Sequence, residues 1–236
     1  SLYLLFWDVS SCTSMGSMFE YCEELTSLDL SLWDVSSCTS MAGIFAACYS
    51  LTSLNVTEWD VSSVTDMRGV FAECRELTSL DLSLWDVSSC TTMGYMFVFC
   101  TSLTSLNLLG WNTSSVDNMG GMFLFCSGLT ETDAGSFDMT SVTDAGDMFL
   151  GITLITANYD ALLLAWSQQA LQSNVPFSAG DSKYCDEDSR QSIIDTYGWT
   201  ITDAGLNDVC PEPFITTWRT TSDNESISLP LRDGYN

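Results

Sequence analysis

The sequence predicts an α/β repeat: a solenoid of 26-residue coils, closed by a small α/β cap and followed by a strand-forming tail. Three observations predict it. The stretch at residues 25–50, LTSLDLSLWDVSSCTSMAGIFAACYS, returns at 51–76, 77–102 and, with drift, at 103–128 and 129–154. A fixed period in that range marks a repeat architecture. Within that frame, apolar residues keep register from copy to copy. Finally, the spacing of those residues changes partway through each copy, from a strand-like to a helix-like interval.

The columns give the elements. Trp7, Trp33, Trp59, Trp85 and Trp111 share one column, with Phe137 in the sixth place. Phe19, Phe45, Phe71, Phe97, Phe123 and Phe149 share a second. Cys22, Cys48, Cys74, Cys100 and Cys126 form a third, and Leu25, Leu51, Leu77, Leu103 and Leu129 a fourth. A coil of 26 residues cannot close its own core, so neighbouring coils supply the rest. Leu28 and Leu30 alternate with Asp29, which predicts a short strand with the leucines inward. After Trp33, the apolar set Cys38, Met41, Ile44, Phe45 and Cys48 steps by three, three, one and three. That spacing predicts a short helix or 3₁₀ segment, with Ser36, Ser37 and Thr39 placed to cap its free amides. One strand and one helical turn per coil describe a leucine-rich-repeat-like solenoid over residues 1–154.

The pattern then decays, with Thr132 and Ala134 where leucines stood. Residues 155–210 read as an α/β C-terminal cap. Asn158 to Asp160 opens a helix bearing Leu162, Leu163, Trp166 and Leu171, and Val175–Phe177 reads as a strand. Asp186 caps a second helix carrying Ile193, Ile194 and Tyr197, which Gly198 stops. Trp199–Ile201 reads as a further strand. Pro211 and Pro213 make a stiff break. The tail, 211–236, holds two strand-like runs around Phe214, Ile215, Trp218, Ile227 and Leu229. Two strands are marginal alone in water, so this piece either opens a β-sandwich or adds to another chain's sheet. At the other end, Ser1 falls in the column of Ser27. Leu2 to Phe6 then lie at an uncovered coil, which predicts a fragment of a longer chain or cover by another chain.

Six basic residues against 31 acidic ones, without histidine, give a formal charge of −25. Phosphate binding needs clustered Lys and Arg, so nucleic acid is excluded as a partner. No apolar run approaches the roughly 20 residues that span a bilayer, so no membrane-spanning segment is predicted. Of the ten cysteines, the five in register read as buried thiols. Cys12, Cys38 and Cys90 each have a column cysteine ten residues on (Cys22, Cys48 and Cys100), which leaves disulfides within a coil open. Cys185 and Cys210, outside the repeats, are the better pair and point to an oxidising compartment.

The run from Trp59 to Leu80, Trp-Asp-Val-Ser-Ser-Val-Thr-x-Met-x-x-x-Phe-x-x-Cys-x-x-Leu-Thr-Ser-Leu, resembles the repeats of BspA-like leucine-rich-repeat surface proteins. The segment from Tyr159 to Asp203 resembles the ending usual for such arrays. Phe214–Trp218 resembles the first strand of the β-sandwich often found beside them. The resemblance implies a secreted or cell-surface protein and an adhesive role. It carries no catalytic motif.

No enzyme is predicted: general-base or metal chemistry lacks its histidine, and no P-loop, G-x-G-x-x-G or G-x-S-x-G occurs. The dense polar constellations are two ladders. Asp29, Asn55, Asp81, Asn107 and Asp133 are expected about 4.8 Å apart on the strand face. The first four are candidate ligand-binding residues, for calcium or a cationic partner. Asp8, Asp34, Asp60, Asp86, Asn112 and Asp138 follow the aromatic column and read as turn formers. No cofactor is predicted beyond the candidate calcium. Asn55, Asn112 and Asn224 head N-x-S/T sequons and are glycosylation candidates. The expected function is a non-catalytic extracellular or cell-surface interaction and adhesion module, whose partner is an extracellular protein or glycan. The alternative is a filament subunit that donates its tail strands to copies of itself.

Overall fold

The computed structural model describes residues 4, 7–210, 215–219 and 226–230. The chain divides into two compact units, Ser1–Leu206 and Asn207–Asn236.

In the first unit, successive repeats lie in parallel with a register of one period. The strands are β1 (Ser27–Asp29), β2 (Ser53–Asn55), β3 (Ser79–Asp81) and β4 (Ser105–Asn107). The expected continuous strand ladder is corrected here. β1 pairs with β2 and β3 with β4, but β2 and β3 are not paired. The unbroken ladder runs elsewhere, through single-residue bridges Ser14–Ser40–Asp66–Thr92–Asn118–Asp144. Along it Met41 N donates to Asp66 O at 3.0 Å, and Thr65 N donates to Thr39 O at 2.9 Å. Register is already set there, so three-residue strands need not pair at every step.

The predicted helical segment is also corrected. Residues 42–47 form a run of consecutive turns. The N–H groups of Ile44, Ala46 and Cys48 close turns on Met41, Gly43 and Phe45 O at 3.1, 2.9 and 3.2 Å. Those of Gly43, Phe45 and Ala47 cross to Arg68, Val70 and Ala72 O of the next repeat at 2.8, 3.0 and 2.8 Å. A helix would spend every amide within its own segment. Here half of them join neighbours, which a stacked architecture rewards. Two residues per run take positive φ, such as Gly43 at 65° and Ala47 at 57°, as turns with a left-handed third residue require. The expected hydroxyl caps do not form at Ser36 and Thr39. Ser36 Oγ donates to Asp34 at 2.6 Å and Thr39 Oγ1 to Thr13 O at 3.0 Å.

The phenylalanine column piles up as a continuous file, while the tryptophan column stacks in pairs, Trp7 with Trp33, Trp59 with Trp85 and Trp111 with Phe137. Phe19, Phe45, Phe71, Phe97, Phe123 and Phe149 stack with centroids 5.6, 5.8, 5.4, 5.6 and 5.1 Å apart. Trp59 stacks on Trp85 at 6.3 Å. Each indole N–H reaches back across a repeat: Trp59 Nε1 donates to Leu30 O at 2.9 Å and Trp85 Nε1 to Val56 O at 3.0 Å. The cysteine column does the same, with Cys74 Sγ on Phe45 O at 3.3 Å and Cys126 Sγ on Phe97 O at 2.8 Å. If each repeat buries about six large side chains at roughly 1.5–3 kcal/mol apiece, stacking outweighs any one hydrogen bond.

In the fifth copy the strand is lost. Asp133 belongs to a 3₁₀ turn, Asp133–Ser136, whose start Thr132 caps through a 3.2 Å bond from Ala134 N. Thr132 and Ala134 stand where leucines supplied the inward side chains of a strand. Helix α1 (Thr156–Ser167) packs on this turn instead. Trp166 Nε1 donates to Ala134 O at 3.0 Å, and Asn158 bonds both Thr132 N and Thr132 O at 3.0 Å. β5 (Pro176–Ser178), α2 (Glu187–Tyr197) and β6 (Thr200–Thr202) follow, with β5 parallel to β6. Asp186 caps α2 by accepting from Ser189 N at 3.2 Å. The Phe177 ring meets Phe149 edge-on at 6.1 Å and so ends the phenylalanine file.

In the second unit, β7 (Ile215–Arg219) and β8 (Ser226–Pro230) pair antiparallel, with Trp218 opposite Ile227 and Thr216 opposite Leu229. Phe214 and Asn224 lie outside the described residues.

Candidate functional surface

The strand face carries the candidate ligand residues. β1 and β3 bury their single leucine and expose the flanking Ser and Asp, whereas Leu54 of β2 and both Leu106 and Asn107 of β4 are half-buried. Asp29 Oδ1 accepts from Ser31 N at 3.1 Å, Asp81 Oδ1 from Ser83 N at 3.1 Å, and Asn107 Oδ1 from Leu109 N at 3.2 Å. In the strand register Asp29 stands opposite Asn55, and Asp81 opposite Asn107, and each Asn side chain adds the smallest of the influences that lower its partner's carboxyl. Both carboxyls are therefore held below the ordinary value, first by the Ser31 or Ser83 amide. The ladder thus comes as two Asp–Asn pairs, β1 with β2 and β3 with β4. An open depression of about 360 Å³ lies across the break, lined by Leu54, Val56, Ser79, Asp81, Ser105 and Asn107 among others. Asp133 is not in this row; its Oδ2 accepts from Leu108 N at 3.0 Å.

The second ladder is a column of turns. Asp34 Oδ1 takes Ser36 N at 3.1 Å, and Asp60 Oδ1 takes Ser62 N at 3.1 Å. Asn112 and Asp138 bond Ser114 N and Thr140 N at 3.2 and 2.9 Å. The neighbouring hydroxyl and amide hold the carboxyls of Asp8, Asp34 and Asp86 low. These residues shape the chain.

Among the sequon residues, Asn55 and Asn112 are exposed. Cys185 and Cys210 are disulfide-bonded. Cys12, Cys22, Cys38, Cys48, Cys90 and Cys100 are free, so the disulfides left open within a coil do not form. Burial pushes the thiols of Cys48 and Cys90 up to about 12. Among the described residues no group of three or more His, Cys, Asp or Glu side chains is placed to hold a metal ion. No helix among them is long and apolar enough to cross a membrane.

The cap holds a buried polar cluster. Asp203 Oδ2 accepts from Tyr159 Oη at 2.8 Å and from Arg190 Nε at 2.7 Å, while Arg190 also lies 4.9 Å from the Tyr184 ring centre. Every member has its partner, and burial first, then the Asp203 carboxylate, raises the Tyr159 phenol. The cluster ties α1, α2 and the end of β6 together.

Sequence reasoning missed one surface feature. Tyr95, Phe99 and Phe125 project from the turn runs, each exposed. The signal was there to read: their columns carry Gly43, Gly69 and Gly121, or Ala47 and Gly151, in other repeats.

Together these features define a repeat protein whose 26-residue units stack in parallel around aromatic files. The chain belongs to the family described as Mycoplasma protein of unknown function, DUF285, whose model matches residues 3–55 and 41–162. No curated protein matches it.

Proposed function

We propose that this chain is a non-catalytic interaction and adhesion module, displayed outside the cell or on its surface, and built as a leucine-rich-repeat-like solenoid of the BspA-like kind. The stacked aromatic and cysteine files carry the reading. They make a scaffold of regular spacing, and they leave the outward Asp, Asn and Ser side chains of the strand face as regular, readable chemistry. The Cys185 and Cys210 disulfide supports an oxidising compartment. Partners are an extracellular protein or a glycan, recognised by multiple polar contacts on a preorganised surface.

The test is a binding panel of immobilised extracellular-matrix proteins and glycans, probed with the wild-type chain and with Asp29→Ala/Asp81→Ala. Saturable binding by the wild type, weakened by the double variant, is the expected result. A chain that ignores the whole panel, or binds it unchanged after the double substitution, overturns the strand-face reading.

A second reading, a filament subunit assembled by strand donation, is favoured by the second unit. Its β7–β8 hairpin is two strands wide, a size marginal alone in water. Negative-stain microscopy of the natural material, with and without residues 211–236, decides it. Filaments that vanish on deletion support donation; particles in both samples refute it.

A further inference from the structure

Where the strand ladder opens between β2 and β3 we infer a binding site for a neutral, hydroxyl-rich ligand, a glycan; this rests on the interaction-module reading and chooses among its partners. The depression of about 360 Å³ across the break is lined by Leu54 and Val56 from one repeat, Ser79 and Asp81 from the next, and Ser105 and Asn107 from the one after. That volume lies within the range of small-ligand sites.

Main-chain groups left over at the break are the first observation. Between β1 and β2, Leu30 N donates to Asn55 O at 3.1 Å and Thr52 N to Thr26 O at 2.9 Å. Between β3 and β4, Leu82 N donates to Asn107 O at 3.0 Å and Thr104 N to Thr78 O at 3.0 Å. The matching pairs between β2 and β3 are Val56 N with Asp81 O and Thr78 N with Thr52 O, and neither bond forms. Among the described residues, Val56 N and Thr78 N meet no acceptor. Thr78 is exposed, but Val56 is only 1 % exposed. A buried amide without a partner is rare in a native structure, because it gives up hydration for nothing. A bound group that accepts from it removes that cost.

The width of the opening limits what can enter. On the far side of the same two repeats the ladder is closed, with Met67 N on Thr92 O at 3.0 Å and Phe71 N on Met96 O at 2.9 Å. The repeats therefore stay close to one hydrogen-bonded spacing apart. An inserted strand, which needs roughly 4.8 Å on each side, does not fit. A group as small as a hydroxyl does.

Chemistry chooses the occupant. Val56 N–H needs an acceptor and the Asp81 carbonyl needs a donor, and a hydroxyl is both. Around them Ser79, Asp81, Ser105 and Asn107 are short and polar, and suit the further hydroxyls of a sugar ring. Leu54 and Leu80, which also line the depression, offer apolar surface to its C–H face. The Asp81 carboxylate repels anions. One carboxylate does not make a calcium site, which takes about six to eight oxygens.

The experiment uses the full chain, an array of neutral glycans, and matched glycans that carry sialic or uronic acids. The neutral glycan with the strongest signal is then titrated. Neutral glycans are expected to bind at least about tenfold tighter than their acidic counterparts. In amide NMR of the wild type, the Val56 and Thr78 signals are expected to shift on titration, and exchange of the Val56 amide with solvent to slow. Ser79→Tyr fills the depression with a residue suited to an exposed strand position. It is expected to lose at least about tenfold of the affinity with melting unchanged. Silence of every neutral glycan, equal binding of the acidic ones, or a titration that leaves the Val56 amide unmoved overturns the proposal. The last of these would make water alone the partner of that amide. Unchanged affinity in Ser79→Tyr overturns it too; if that variant melts far lower, the Val56 amide of the wild type decides. Should all glycans be ignored while matrix proteins still bind, and bind less to Asp29→Ala/Asp81→Ala, the interaction module stands and only this site falls.

Discussion

Trp85 shows how much one side chain does here. Its ring stacks on Trp59, and its N–H satisfies Val56 O, which is buried between repeats. Trp85→Phe keeps the ring and removes the donor. It should cost about 1–3 kcal/mol, the usual loss when a buried acceptor is left alone, and urea denaturation would measure it. Phe71→Ala, which opens a hole in the phenylalanine file, should cost more, about 3–5 kcal/mol. The polar columns differ in kind. Asp8, Asp29, Asp34, Asp81 and Asp86 have carboxyls held below their ordinary value by nearby amides and hydroxyls. A depressed folded value stabilises above the unfolded value and is lost as pH falls through the folded one. Their contribution should therefore be complete above about pH 4 and fade below it. Each is exposed, so the loss on any one substitution should be small beside that of Trp85. The turn role of the second ladder was legible in the sequence, because Asp followed two residues later by Ser or Thr is a local pattern. The pairing of Asp29 with Asn55 was legible only as alternation; the break between β2 and β3 was not, since nothing local encodes it.

At the scale of elements, the turn run is where sequence reasoning and structure part. The steps of three, three, one and three from Cys38 to Cys48 place the same side chains inward in a helix and in a string of turns. Side-chain periodicity cannot tell them apart. The difference lies in where the amides go, and that depends on a neighbour lying alongside. Positive φ at Gly43 and Gly69 was a local clue, but Tyr95 at the same place in the next repeat hides it. The cap was more readable. Asp186 and Gly198 bound α2 as signals within the segment itself, and Trp166 and Leu163 sit on a buried face. Between cap and repeats one position has no slack. A Cβ at Gly180, where φ is 60°, would lie 2.3 Å from Phe149 O and 2.5 Å from Ile152 O. Backbone cannot retreat as a flexible side chain can. Gly180→Ala should destabilise by at least about 3 kcal/mol, seen as a large drop in the denaturant midpoint.

Over the whole molecule, buried thiols and net charge set the response to solution conditions. Eight cysteines are free, and of these only Cys12 and Cys22 are half-buried rather than buried. A thiol reagent at neutral pH should label those two in the native protein and all eight after unfolding. Burial raises Cys48 and Cys90 from 9.0 to about 12, with Cys74 and Cys100 displaced in the same direction. A raised folded value stabilises below the unfolded value and is lost as pH climbs toward the folded one. Stability should accordingly fall from about pH 9 toward 12 as the unfolded thiols ionise, and melting followed by circular dichroism across that range checks it. The residues alone decided the period and the core columns. A residue that recurs every 26 positions has one economical place to go, on top of its predecessor, and hydrophobic burial is indifferent to finer geometry. Folding in three dimensions decided what burial does not specify: which amides bond within a repeat and which across it, where the strand ladder opens, and which apolar side chains stay outside. Those outcomes depend on hydrogen-bond direction and backbone handedness between neighbours far apart in the chain.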